Sequence, residues 1–495
     1  MYIGIDFGTS YSKAALWDDE MRQAEFLLPR GKYGIPSVFY YDSDSGILIG
    51  EEAEDEGQGI QAKNLKIEVK MDLANDFTAD GRTFTSKEIV SEIYKYVLNV
   101  AKNEASKKGY GSNVQGAVIS VPAAFDQQQI TLIKSAAEDA GIKVTAVIPE
   151  PVSAALAYYK MYNKHYSDTA LIFDLGGGTC DIALVAHDSS SASEYRVIDK
   201  NMIECGGKDW DKTLTNYLLK EYEYSSGKTL SGNPGYMEKI RRAAVKAKEK
   251  LADPNVDEAS CRVEIDGRAI KKEISLTLFD EITSPLLKKA IQALKEVYDR
   301  NSSQYDIDDI ICVGGSSNMK QVLREIRLEF PDCNVDLIVP EAAVVYGDAI
   351  YADKIKGRKS ETTAKKFLQD IAAFSYGIRC FKDYDADPNY EYVQNLTTAG
   401  SPLPCSNEHG FWTTRANMYS CSFPIYESKK STDTYELYEG KNIGTMELIL
   451  PPNSPKNYEL KATIKVNING ILEARATDGK GHSIQTRIDL NSLKR

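Results

Sequence analysis

Along the first two thirds of the chain apolar residues come in short runs closed by glycine, and over the last quarter they alternate with polar ones. Residues 170–185, Ala-Leu-Ile-Phe-Asp-Leu-Gly-Gly-Gly-Thr-Cys-Asp-Ile-Ala-Leu-Val, predict a buried strand, a glycine turn and a second buried strand. Residues 3–17 repeat the device, with Asp6 before the turn Gly8-Thr9-Ser10-Tyr11 and Asp and Gly-Thr in matching places. A third apolar run, 310–313, ends in Gly314-Gly315-Ser316 and precedes a helical pattern. Helical spacing predicts a helix over 86–105, capped by Thr85 or Ser86, and others over 127–140, 152–161, 210–223 and 237–251. Strands over 117–121 and 142–148 alternate with the earlier helices, a rhythm that means a sheet covered by helices. Asp266-Gly267 marks a hairpin, 350–366 turns polar like a linker, and short strands with Pro, Asn and Gly turns fill 374–490. In that last region Leu460, Ala462, Ile464, Val466 and Ile468 fall on one face of a strand.

Turns of this kind can hold phosphate. Glycines let backbone N–H groups point into an open space, and the start of a following helix adds favourable dipole. Asp174 and Asp181 bracket one such space, so a phosphate there calls for a cation between them, Mg²⁺ held partly through its waters. The bland alternative is a tight hairpin with solvated aspartates. Two similar hairpins in one chain favour two lobes facing one nucleotide.

In this order the three turns resemble those of the heat-shock protein 70 (DnaK-type) chaperones, within the actin and sugar-kinase ATPase superfamily. Residues 118–125 (Val-Ile-Ser-Val-Pro-Ala-Ala-Phe), 149–158 (Pro-Glu-Pro-Val-Ser-Ala-Ala-Leu-Ala-Tyr) and 206–211 (Gly-Gly-Lys-Asp-Trp-Asp) point to that branch. The likeness covers nearly the whole chain. It implies an α/β, two-lobed actin-like ATPase domain over 1–352, an interdomain linker over 353–370 and an all-β substrate-binding sandwich over 371–495. It also implies ATP/ADP and Mg²⁺ as cofactors. Gly8, Thr9, Ser10, Tyr11, Gly176, Gly177, Gly178, Thr179, Gly206, Gly207, Lys248, Gly314, Gly315 and Ser316 would bind the nucleotide, with Asp6 and Asp174 at the metal. Lys70, Glu150, Asp181 and Thr179 would be catalytic. Lys66 is the alternative to Lys70, and a solvated lysine cluster is the alternative to both. Peptide would bind near Ile378, Trp412 and Tyr419, unless these are ordinary core residues.

The resemblance further implies extended apolar peptide segments, a J-domain co-chaperone and a nucleotide-exchange factor as partners. Departures matter too. Val245 stands where the family usually has Glu, Asn318 where an Arg stacks on adenine, and Ile130 and Ala146 where arginines couple the lobes or dock the J-domain. The segment Phe367-Leu368-Gln369-Asp370 is less leucine-rich than the family's linker. No stretch matches the family's helical lid, so weak, fast-exchanging peptide binding is expected. These departures keep a second reading open, a nucleotide-gated regulatory module with little or no hydrolysis; a third, a sugar or metabolite kinase of the same superfamily, is disfavoured because the sandwich has no role there.

A length of 495 residues allows about three domains. A net charge of −12 argues against nucleic acid, which needs a basic stripe; the Lys- and Arg-rich 239–250 reads as a charged helix face. Eight scattered cysteines without a Cys-x-x-Cys pair, and four scattered histidines, give no zinc spacing and suggest reduced cytosolic thiols. With no leader pattern and no run near 20 apolar residues, a cytoplasmic protein with no membrane partner is expected.

Overall fold

The computed structural model describes residues 1–162, 169–187, 194–356, 367–381, 390–478 and 480–487. They divide into two compact units: Met1–Ala123 with Ile133–His187 and Lys200–Gly357, and Ala124–Leu132 with Asp188–Asp199 and Arg358–Arg495.

The first unit carries the same sheet twice. In one, the strand order is Val144–Pro149, Gly116–Val121, Tyr2–Phe7, Tyr11–Asp18, Gln23–Phe26. In the other, Asn334–Leu337, Asp309–Val313, Thr169–Leu175 and Cys180–His187 follow one another, and Tyr195–Ile203, which enters this unit at Lys200, comes next. Each sheet has a central strand that pairs in parallel on one side and closes an antiparallel glycine hairpin on the other. Strands Gly116–Val121 and Thr169–Leu175 are buried along their whole length, as expected of sheets covered by helices on both faces.

The register corrects one detail of the sequence reading. Phe7 pairs with Ser12 and Leu175 with Cys180, so both loops hold four residues. Gly8 then corresponds to Gly176 and Tyr11 to Thr179. The aspartates match as expected, while Thr9 falls opposite Gly177 rather than Thr179. The cross-strand partner of Asp6 is Lys13, and that of Asp174 is Asp181.

Helix Ser86–Lys107 is closed by a capping box between Thr85 and Glu88. Helix Glu150–Tyr162 starts directly at the end of strand Val144–Pro149, two residues earlier than the periodicity predicts. Helix Ala343–Ile355 lies against strand Tyr2–Phe7 and helix Glu150–Tyr162. Gly347 makes that approach: a Cβ there would lie 1.8 Å from the carbonyl oxygen of Ser153. Residues 353–355, expected in the linker, are the end of this helix, whereas 357–366 lie outside the described residues.

In the second unit two antiparallel sheets share one apolar core. Their orders are Thr434–Glu436, Glu391–Thr397, Ser375–Phe381, Ser420–Ser428, Lys441–Ile449 and Cys405–Trp412, Glu459–Val466, Leu472–Thr477, Ser483–Arg487. Leu460, Ala462, Ile464 and Val466 alternate inward as predicted, and Ile468 falls beyond the strand in a turn whose Gly470 takes a positive φ. Leu368–Gln369 pairs in parallel with Tyr195 and Arg196. Gln127 joins this core's edge, donating to Tyr376 Oη at 3.2 Å and to the carbonyl of Gly470, and accepting from the Leu472 N–H at 2.9 Å. Residues 488–490, expected to end the strand region, are outside the described part. Among the described residues no helix is long and apolar enough to cross a membrane.

Candidate nucleotide site

The two hairpins of the first unit open on one cavity of about 820 Å³. Of the residues expected to bind nucleotide, Gly8, Thr9, Ser10, Tyr11, Gly176, Gly177, Thr179, Lys248, Gly314, Gly315 and Ser316 line it, together with Asp6, Asp174, Lys70 and Glu150. The turns face each other closely. A Cβ on Gly177 would lie 2.5 Å from Ser10 Oγ, so any larger residue there would fill the gap that the turns enclose.

Gly178, Gly206, Gly207 and Asp181 do not line the cavity. They brace it from behind. The Gly207 and Lys208 N–H groups donate to the carbonyls of Gly176 and Gly177 at 2.9 and 2.7 Å, and Ser316 Oγ donates to Gly176 at 2.9 Å. With those carbonyls occupied, the turn is fixed before any ligand arrives. Asp181 accepts from the Ala123 N–H, which ties the second hairpin to the end of strand Gly116–Val121.

Lys70 and Glu150 form an ion pair, although 80 residues separate them. Both are buried. Burial alone would lower the Lys70 pKa, yet the carboxylates of Glu150, Asp6 and Asp181 outweigh it and raise the value, so the ammonium stays charged. Glu150 rises to about 7, through burial first, against the attraction of Lys70 and with help from the charges of Asp181 and Asp6. Asp181 rises to about 6 through burial, with Thr179, the Ala123 N–H and Lys70 holding it down. Asp174 also rises, through burial first and then the charges of Glu150, Asp181 and Asp6. Lys66 lies elsewhere: it pairs with Asp72 and does not line the cavity.

Four carboxylates thus meet two ammonium groups, Lys70 and Lys13, the latter 3.4 Å from Asp6. This surplus of negative charge suits a cation bound with the ligand. Among the described residues no three Asp, Glu, His or Cys side chains are arranged to chelate an ion by themselves. The residues therefore fit Mg²⁺ that takes its remaining ligands from phosphate oxygens and water.

Sequence reasoning missed two charged residues here. Lys13 interrupts the apolar strand Tyr11–Asp18 and pairs across the hairpin with Asp6. Asp348, fully buried, accepts from Ser120 Oγ at 2.8 Å and Ser153 Oγ at 2.6 Å. Ser120 is the register partner of Asp6, and Ser153 lies one helical turn after Glu150. A single acid in the otherwise apolar 343–352 was the available signal.

The residues expected at a peptide cleft do not share one environment. Ile378 is 1% exposed inside the second unit's core, whereas Trp412 and Tyr419 are 60% and 77% exposed. For Ile378 the core alternative is the one observed.

Paired glycine hairpins of equal topology, opening on one cavity with a buried acid–base pair, are the layout of the actin-like ATPase fold. A family profile described as Hsp70 protein matches residues 48–494, and the chain belongs to the Hsp70 family. It is similar to heat shock cognate 70 kDa protein 3 of Dictyostelium discoideum, with 27% identity covering 96% of this chain and 78% of the relative. It is also similar to a heat shock protein of Pyricularia oryzae, with 25% identity covering 96% of this chain and 80% of that relative. Members of the family are ATPases with a chaperone function.

Proposed function

We propose that this chain is an ATP-dependent chaperone, in which slow ATP hydrolysis in the first unit governs binding of extended apolar peptide by the two-sheet, all-β sandwich of the second. The observation that carries the reading is the buried Lys70–Glu150 pair at the edge of a cavity walled by glycine turns. Lys70 is held charged where negative charge on a transferred phosphoryl group would grow, and Glu150 is placed to orient a water. Thr179 and Asp181 assist from the second hairpin. Gly8, Thr9, Ser10 and the Gly176–Thr179 turn would hold phosphates through backbone N–H groups, with Asp6 and Asp174 facing the metal. Bound Mg²⁺ would neutralise charge between phosphate oxygens. Trp412 and Tyr419 offer apolar surface for a peptide. A J-domain protein and a nucleotide-exchange factor are the partners that the family suggests, and the cytoplasm the compartment.

The enclosure of Ile378 favours a second reading, a nucleotide-gated regulatory module without peptide clients. Single-turnover hydrolysis of radiolabelled ATP, with and without an unfolded peptide, decides between them. Hydrolysis that responds to peptide is expected. Bound ATP that stays intact over hours would leave the regulatory module standing.

A further inference from the structure

Outside the cavity wall, close to Asp6 and Glu150, lies a carboxyl group that the mechanism above does not use. Asp348 is fully buried, in the otherwise apolar stretch 343–352 of helix Ala343–Ile355. Gly4 admits it: a Cβ on Gly4 would lie 2.5 Å from the Asp348 Cβ and 2.4 Å from the Ala349 nitrogen, so the helix rests there on bare strand backbone. Packing at this point asks only for a small apolar residue. Burial instead raises the Asp348 pKa, the hydroxyls of Ser153 and Ser120 hold it down, and the charges of Asp6 and Glu150 add to the rise. A buried acid beside two others costs stability that an apolar residue would not. Such a local conflict marks a functional position.

What the carboxyl group holds indicates its task. Ser120 Oγ donates to one oxygen at 2.8 Å and Ser153 Oγ to the other at 2.6 Å. Ser120 is the parallel register partner of Asp6, so both side chains stand on the face of the sheet to which Gly4 also belongs. Ser153 lies three residues after Glu150, one turn along the same helix face. Glu150 is the first residue of that helix, and the roll of the first turn therefore sets where its side chain points. Fixing Ser153 fixes that roll. From the same turn Glu150 reaches the Lys70 ammonium.

We propose that Asp348 is a positioning residue for ATP hydrolysis: it aims Glu150 through Ser153, and through Ser120 it anchors that helix to the strand beside Asp6. The proposal deepens the ATPase reading above and rests on it. Its effect falls on the rate and not on affinity, because the phosphates are held by the glycine turns.

The test is single-turnover hydrolysis by the full chain at saturating ATP, with ADP affinity measured by calorimetry. Asp348→Ala should slow hydrolysis about ten- to a hundredfold and leave ADP affinity within about threefold, since a small misplacement of a reacting group costs up to about a hundredfold. Asp348→Asn keeps an acceptor for one serine and a donor for the other, and should restore the rate to within about threefold. A residue that acts through Glu150 has nothing left to aim once Glu150 is replaced, so in a Glu150→Gln background Asp348→Ala should cost less than about twofold more. A purely structural role would give the full loss there as well, and that result would overturn the proposal. An unchanged rate in Asp348→Ala, or an Asn variant as slow as the Ala variant, would also overturn it. If Asp348→Ala fails to fold, Ser153→Ala, which keeps the carboxyl group and removes one hydroxyl, decides in its place: a slower rate supports the aim of Glu150 and an unchanged rate overturns it. Absence of hydrolysis in the unchanged chain would overturn the ATPase reading itself, an outcome distinct from all of these.

Discussion

Two hairpins of equal length and register stand at the centre of the first unit, and they differ in one partner. Asp6 faces Lys13 across its hairpin, and Asp174 faces Asp181. Opposite charges directly across an antiparallel pair are favourable and like charges are not. The first hairpin therefore carries its own counter-charge without a ligand, while the second keeps two acids as cross-strand partners, both with raised pKa values. The first hairpin's sheet also supplies Glu150, through the strand end at Pro149. One topology thus carries a neutralised half and a half that is relieved by a cation or by protons.

The largest expected effect tests whether the cation of the pair acts in chemistry. Lys70→Ala should leave nucleotide bound and slow single-turnover hydrolysis by two to three orders of magnitude, since one preorganised charge at a transition state is worth ~3 kcal/mol. Lys66→Ala should leave the rate within a few-fold, because Lys66 is held by Asp72 away from the cavity. The reverse result would move the catalytic lysine.

Next comes the acid-rich hairpin itself. Asp174→Asn should weaken binding of Mg·ATP at least tenfold while metal-free ADP binds as well or better, because the substitution removes a charge that repels phosphate once the metal is absent. Equal loss of both by calorimetry would count against a metal-facing role.

The contrast also predicts opposite stability effects. Asp181 binds its proton more tightly in the folded chain than in the unfolded one, so its contribution is fully present below the unfolded value near ~4 and is lost as pH rises through about 6. At pH 8 Asp181→Asn should therefore raise the apo melting temperature and flatten its fall between pH 4 and 7, an effect of roughly 1–3 kcal/mol. Lys13→Met should lower it at the same pH by about 1–3 kcal/mol, since it leaves Asp6 buried without its partner. The same sign in both variants would dissolve the distinction between the hairpins.

The smallest effect concerns the second unit. Trp412→Ala should leave the fold intact, because the ring is mostly exposed, and weaken a labelled apolar peptide a few-fold by faster dissociation in fluorescence anisotropy. An unchanged off-rate would remove Trp412 from the peptide surface.

The hairpins were legible in the sequence because glycine, aspartate and buried-strand runs carry their own local signal. The β-rich second unit was legible for the same reason, through alternation such as that from Leu460 to Val466. What the chain could not announce was pairing across distance. Lys70 and Glu150 meet only once the short 3-10 turn Val69–Met71 and the start of helix Glu150–Tyr162 have been brought to one cavity, and local spacing leaves Lys66 open as an alternative that its pairing with Asp72 removes from the cavity. Ile378 lies in a strand pattern that suits a cleft wall or a core equally well, and only the packing of both sheets decides. Lys13 and Asp348 were visible as charges inside apolar runs, a local conflict that marks a site when a partner waits elsewhere in the fold.

The missing side chain at Gly347 has a consequence for how this protein can vary. Its helix touches no cavity residue through that position, yet a single methyl there would meet the Ser153 carbonyl and lever the helix away from the turn that begins at Glu150. The Asp348 clamp on Ser120 and Ser153 would open with it. An inherited change at one small residue outside the cavity would then disturb the site while every cavity-lining residue stayed as it was, and a screen for heat-sensitive alleles should return this seam before it returns the cavity.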